Sequence, residues 1–305
     1  MLEITVRTEG GDRLVRPTAE ELAALVARIG ADEDNFLVLQ RVPDLPDVFA
    51  QVWHRTGDVY AVEHRDGTVD RHFGTLFDTP EAVTAALTGW ARQETGWDAG
   101  RAWERLEFAP SPEVPPLDLS EPDRAVLEDR LRLELAAGYT DLDRLAELAE
   151  DHLITAERRP VSPGQAKALA RRLWLERVGQ QSAWQGETDP ERLTRAFAAL
   201  ERGGITAREN FACCGSCGHA EIGGVAPAEA RGFVYFHAQS TEHAAAGHGL
   251  TLHYGAFEDS DTTTLGVGHE VVAALDAVGL RTDWDGTRDR ALTVTPLDWR
   301  RRLVG

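Results

Sequence analysis

Residues 58–77 read DVYAVEHRDGTVDRHFGTLF, and their reading decides the fold of the first third of the chain. Two strand-like runs flank Asp66-Gly67, and that dipeptide supplies the positive φ that a type I′ turn needs. The spacing predicts a β-hairpin. Upstream, FLVLQRV (36–42) and VFAQVWH (48–54) read as two more strands, separated by Pro43 and Pro46. Further upstream, Leu2, Ile4 and Val6 alternate with Glu3, Thr5 and Arg7, the period of a half-buried strand. Thr18 and Glu21 form a capping box ahead of Leu22, Leu25, Val26 and Ile29 at helical spacing, and Gly30 stops that helix. Downstream, Thr79-Pro80 opens a second helix whose Val83, Ala86, Leu87 and Trp90 share a face. The expected order is β-β-α-β-β-β-β-α, with a Trp-rich tail around Trp97 and Trp103.

APSPEVPPLDLSEP (109–122) carries five prolines and no apolar periodicity, so it reads as a stiff linker. The expected organisation is an N-terminal domain over 1–110, a proline-rich linker over 111–120 and a second domain over 121–305. In the second domain, helices are expected across 121–203. Ser120 caps the first and Gly138 stops it; Thr140 caps the second; Ser162 and Gln165 form a capping box for the third; Asp189-Pro190 opens the fourth. A β-rich part is expected over 204–305, with strands at 205–212, 232–238, 249–256, 280–285 and 291–296. A helix is expected at 268–279. The fold class is α+β in two domains: an antiparallel sheet with two helices, then a helical subdomain followed by a mixed or antiparallel sheet with helices.

Composition narrows the function. The 305 residues carry 51 acids against 32 bases, a net charge of −19, which repels phosphate backbones and anionic lipid. Neither nucleic acid nor membrane is therefore an expected partner; a protein is. MLEITVRTEGGDRLVRP (1–17) lacks the basic and apolar regions of a signal peptide, so the expected compartment is the cytoplasm. All but one of the basic residues are Arg, Lys167 being the exception.

The chemistry concentrates in ENFACCGSCGHAEI (209–222), which holds all three cysteines: Cys213, Cys214 and Cys217. Cys214-x-x-Cys217 is a chelate spacing for two thiolates on one metal, and histidines crowd the region downstream of it. The expected metal set is Cys214, Cys217, His219, His237 and His253, with zinc as the cofactor and Cys213 packed inward. The same CxxC at a helix start also suits thiol–disulfide exchange, with Cys214 as nucleophile and Cys217 as resolving thiol. A third reading makes the cysteines small apolar residues filling a tight turn. Elsewhere, His269-Glu270 lacks the second histidine of a zincin, Asp259 and Asp261 begin a solvated polar loop, and Arg300–Arg302 reads as a charged terminus.

Residues 120–303 resemble an uncharacterised, mainly actinobacterial family of unknown function carrying a CCxxCGHAE motif. The resemblance rests on Asn210-Phe211 through Gly218, on the Phe-His-x-Gln-x-Thr stretch at 236–241, and on the closing LDWRRRL. It implies bacterial kinship and no reaction. The first domain is similar, in its small α+β layout and Trp-rich end, to immunity proteins of polymorphic toxin systems. The expected function is a non-enzymatic, cytoplasmic protein-interaction protein with a structural or sensory thiol or zinc site. The alternative is a thiol–disulfide oxidoreductase.

Overall fold

The alternation at the N-terminus becomes β1 (Ile4–Thr8) in the computed structural model, which describes residues 1–31, 34–109, 112–258 and 260–304. Its partners are β2 (Arg13–Val15), β3 (Phe36–Arg41), β4 (Val48–Trp53), β5 (Tyr60–Asp66), β6 (His72–Phe77) and the short β7 (Glu104–Arg105). They form one antiparallel sheet in the order β2-β1-β3-β4-β5-β6-β7. Two helices, α1 (Ala19–Arg28) and α2 (Pro80–Ala91), bury Leu22, Val26, Val83 and Leu87 against Ile4, Val6, Leu39, Val52 and Val62 on one face of it. The caps are the expected ones. Thr18 and Glu21 exchange backbone-to-side-chain bonds at 2.7 and 3.1 Å, and Thr79 accepts from the Ala82 N–H at 3.3 Å.

The hairpin at 58–77 is present, but its connection is longer than a two-residue turn. Gly67 takes φ +92°, a 3-10 turn spans Val69–Arg71, and β6 starts only at His72. Asp66 pairs with Arg71 across that turn, which holds the longer loop closed.

Helices α3 (Glu121–Ala137), α4 (Leu142–Asp151), α5 (Pro163–Ser182) and α6 (Asp189–Arg202) come after the proline-rich stretch. The chain forms two compact units. One comprises Met1–Asp118, Asp141–Val178 and Leu303–Gly305; the other comprises Leu119–Thr140 and Gly179–Arg302. Residues 141–178 thus group with the N-terminal sheet, whereas a boundary near 115 would place them with the C-terminal sheet. Within that unit the Trp174 indole donates to the Asp44 carbonyl at 2.8 Å, Arg171 pairs with Asp47, and Arg7 meets Asp141 at 3.5 Å. Contacts this distant in sequence leave no local pattern.

The second unit is built on a sheet in the order β11-β12-β10-β9-β8. Here β8 (Ile205–Arg208) runs parallel to β9 (Gly232–Tyr235), while β10 (Leu250–Ala256), β11 (Thr282–Asp283) and β12 (Leu292–Val294) pair antiparallel. Helices α7 (Gly215–Glu221), α8 (Ala238–Ala245) and α9 (Asp261–Ala277) complete it. Leu193, Phe197, Val234, Phe236, Leu252, Val271 and Leu275 share its core.

Several local expectations need correction. Asp141, not Thr140, caps α4, accepting the Arg144 N–H at 2.9 Å. Thr188 is the N-cap of α6, and its N–H donates to Glu191 at 2.8 Å; Asp189 sits inside the helix and accepts from the Asp298 N–H at 2.9 Å. Helix α9 starts seven residues earlier than expected, because Ser260 caps it through the Thr263 N–H at 3.3 Å. The strands near 205 and 232 are shorter than read, because the chain turns at Asn210 and at His237. Asp259 lies outside the described residues, while Asp261 is the first residue of α9 and pairs with Arg288. The closing arginines, read as a charged terminus, are ion-paired. The Arg301 guanidinium lies 3.8 Å over the Tyr139 ring and pairs with Glu209 at 3.0 Å, and Arg302 pairs with Glu191 at 2.5 Å.

Candidate thiolate centre

The cysteines sit on a loop whose path is dictated by β9 and α8. Beyond the register Arg208↔Tyr235, the Phe211 N–H donates to the Phe236 carbonyl at 2.8 Å and the Ala238 N–H to the Ala212 carbonyl at 3.2 Å. Between these bonds Asn210 and Ala212 take φ +48° and +60°. Asn tolerates that region through local hydrogen bonding, and alanine adopts it at a cost of about 1–2 kcal/mol. The buried Thr241 hydroxyl, donating to Asn210 Oδ1 at 2.9 Å, secures the first of the two turns. The two stretches that carry the family resemblance, 210–218 and 236–241, are therefore bonded face to face.

The chain belongs to the family described as the domain of unknown function DUF6891. Its family model matches residues 120–303. No curated protein and no solved structure matches the chain. Among the described residues no helix is long and apolar enough to cross a membrane.

In this DUF6891 chain Cys214 is the N-cap of α7, and the Gly218 N–H returns to its carbonyl at 2.9 Å. The donor atoms of Cys213, Cys214 and Cys217 all lie within 4.8 Å of one another, so the three could hold one metal ion. Tetrahedral Zn–S bonds of about 2.3 Å would set sulfurs about 3.8 Å apart, inside that limit. Cys213 corrects the expectation of an inward-facing residue: it is exposed, while Cys214 and Cys217 are half-buried. The left-handed turn at Ala212 interrupts the extended alternation that would send neighbouring side chains to opposite faces.

Tyr235 is the floor of the site. It is fully buried and its hydroxyl donates to the Gly215 carbonyl at 2.8 Å. Gly218 lets α7 lie on the ring, since a Cβ there would stand 2.4 Å from Tyr235 Cε2. His253, on β10, stacks on Tyr235 and on His237, each pair with ring centroids 5.1 Å apart. A Cβ at Gly215 would lie 3.5 Å from His253 Nε2 and 3.6 Å from His237 Nε2, so both imidazoles border the loop. His237 does not sit on a strand as expected. It is the N-cap of α8, with Nδ1 accepting the Ser240 N–H at 3.2 Å. His219 is exposed, its ring in an edge-on arrangement with Phe233, centroids 5.6 Å apart. Among the described residues no histidine joins the group of donor atoms within 4.8 Å. His243, on α8, and His248, just beyond it, meet edge-on with ring centroids 6.3 Å apart, and His269 lies against Trp284.

The thiols divide electrostatically. The Ser216 hydroxyl, 3.3 Å from the Cys214 sulfur, leads the causes that lower Cys214 to about 6, followed by the Cys217 N–H. Cys213 and then Cys214 push Cys217 up to about 11, because each neighbouring sulfur favours the protonated form. His237 and His253 are held below the usual imidazole range, first by burial and then by neighbouring imidazoles, so both stay neutral at pH 7. A cluster of close thiols ringed by neutral imidazoles is a donor set for a borderline or soft cation.

Proposed function

We propose that this chain is a non-enzymatic cytoplasmic protein whose DUF6891 region holds one zinc ion on Cys213, Cys214 and Cys217 as a structural or sensory centre. The observation that carries this reading is the mutual approach of the three sulfurs within 4.8 Å. Neighbouring thiolates repel one another, and a dication is the counter-charge that lets all three ionise together. The reducing cytoplasm keeps such thiols available. The test is metal analysis of chain purified without chelator. About one zinc per chain is expected, lost in Cys217→Ser and Cys214→Ser. A chain that retains no zinc and takes none from a weak zinc buffer overturns the reading.

A protein partner for the N-terminal unit belongs to the same reading. Acids outnumber bases 20 to 11 over residues 1–109, a sign that disfavours phosphate. Phe36, Trp53, Ala61 and Leu76 are directly paired across β3, β4, β5 and β6 on the sheet face opposite α1 and α2. Three of them are exposed by 36%, 41% and 58%, an apolar row of the kind that protein interfaces cover.

The split between the thiols favours a second reading, thiol–disulfide exchange. The Cys214 thiolate would attack a substrate disulfide and release one thiol. Cys217 would then attack the mixed disulfide, releasing the second thiol and leaving Cys214–Cys217 oxidised. In metal-free chain, alkylation by iodoacetamide is expected to show one fast cysteine with a midpoint at about pH 6, removed by Cys214→Ser. A single midpoint near the ordinary thiol value for all three cysteines sinks this alternative.

A further inference from the structure

Three thiolates leave one position of a tetrahedral zinc open; His237 and His253 border the loop, and His219 follows it on α7. Resting on the metal reading above, we infer that His253 supplies the fourth donor through Nε2, and that His237 and His219 do not coordinate. The geometry separates the three. His237 Nδ1 accepts a backbone N–H from Ser240 at 3.2 Å. A nitrogen that accepts carries no proton, so the proton of neutral His237 sits on Nε2, the nitrogen that faces Gly215. That nitrogen donates and has no lone pair for a metal. Using it as a ligand would require moving the proton to Nδ1 and breaking the cap of α8. His219 is exposed, and its ring packs edge-on with Phe233, centroids 5.6 Å apart.

His253 is different. Its Nε2 is buried and makes no hydrogen bond. An orphaned buried nitrogen is costly, and an ion that binds there is one of the partners that accounts for it. The ring is held in place by stacking on Tyr235 and His237, and Nε2 borders Gly215, the residue after Cys214. Since His253 Nε2 is not within 4.8 Å of the whole sulfur group, coordination draws α7 and β10 together around the ion. The order of donors along the chain would be Cys213, Cys214, Cys217 and His253, with His237 as a positioning residue beside them.

The experiment is Co²⁺ titration of chelator-treated full-length chain, followed by its visible ligand-field bands and by competition with zinc. His253→Phe keeps the stacked ring and removes the donor, so loss of folding does not obscure the result; circular dichroism checks this. The expected outcome is an altered band shape and roughly 100-fold weaker Co²⁺ binding in His253→Phe, the upper end of what removing a group that merely supports a ligand would cause. His219→Ala is expected to keep the wild-type band shape and affinity, whereas His237→Asn, which preserves a helix cap but removes the ring stacked on His253, is expected to keep the band shape and weaken binding. Unchanged spectrum and affinity in folded His253→Phe overturn the assignment while leaving the metal site standing. So does a changed spectrum in His237→Asn or His219→Ala alone. Wild-type chain that takes up neither Co²⁺ nor zinc overturns the metal reading, and this assignment with it.

Discussion

Replacing Asp44 with Asn is expected to stabilise the N-terminal unit by about 3 kcal/mol at pH 7.5 and by well under 1 kcal/mol at pH 4. Asp44 is only 6% exposed, and Gln40 donates to its Oδ2 at 3.1 Å. Burial pushes its carboxyl up from 3.8 to about 6; Arg7 opposes the shift, and Asp143, Asp141 and Asp47 add to it. The sign comes from proton binding. Between those two values the folded chain holds a proton that the unfolded chain has lost, so stability falls as pH rises through that window. Above about pH 6 the full penalty of the buried charge is present. Asparagine carries no charge to bury and still offers an oxygen to Gln40. The bond from the Trp174 indole ends on the Asp44 backbone carbonyl and survives the change. Urea denaturation of both chains at the two pH values checks this. A gain of equal size at both would show that the carboxyl is not the titrating cause.

Gly218→Ala is expected to cost about 1–3 kcal/mol, the usual range for forcing a methyl into a packed interior. It should also weaken zinc retention more than tenfold. The added Cβ would lie 2.4 Å from Cε2 and 2.8 Å from Cζ of Tyr235. That ring is fully buried, and its hydroxyl holds the Gly215 carbonyl. Neither can retreat without the other. Lifting α7 off the ring separates Cys217 from Cys213 and Cys214, so stability and metal affinity should fall together. Gly223→Ala, where a Cβ meets nothing within 4 Å, serves as the control and should change neither. Full zinc affinity in Gly218→Ala would show that the packing of α7 on Tyr235 does not position the thiols.

The longer strands of the first sheet are legible in period-2 alternation, and the starts of α1, α2, α3 and α5 in their caps. Thr18 with Glu21, Thr79 with Pro80, Ser120 with Gly138, and Ser162 with Gln165 are each satisfied within three or four residues, or at the two ends of one helix. Where the caps differ from expectation, at Thr140 and Asp189, a second polar residue stands one position away, and spacing alone does not choose between neighbours. The early start of α9 escapes because Thr262 to Thr264 suppress the apolar periodicity, while its cap lies at Ser260.

Local pattern was enough for the α+β class, for the antiparallel character of the first sheet, and for the five-residue window in which any thiol chemistry must happen. These arise from contacts between near neighbours, whose geometry the backbone periodicity sets. Other features exist only in the folded chain. Residues 141–178 join the N-terminal sheet through residues more than 100 positions away, at Asp44 and Asp47. A left-handed alanine turns Cys213 toward the other two sulfurs. The histidines also part company there: His237 spends its lone pair on a helix cap while His253 Nε2 stays buried and unmatched. The register of β9 against β10 sets that difference, and a hydrogen-bond register between distant strands is written in no single stretch of sequence.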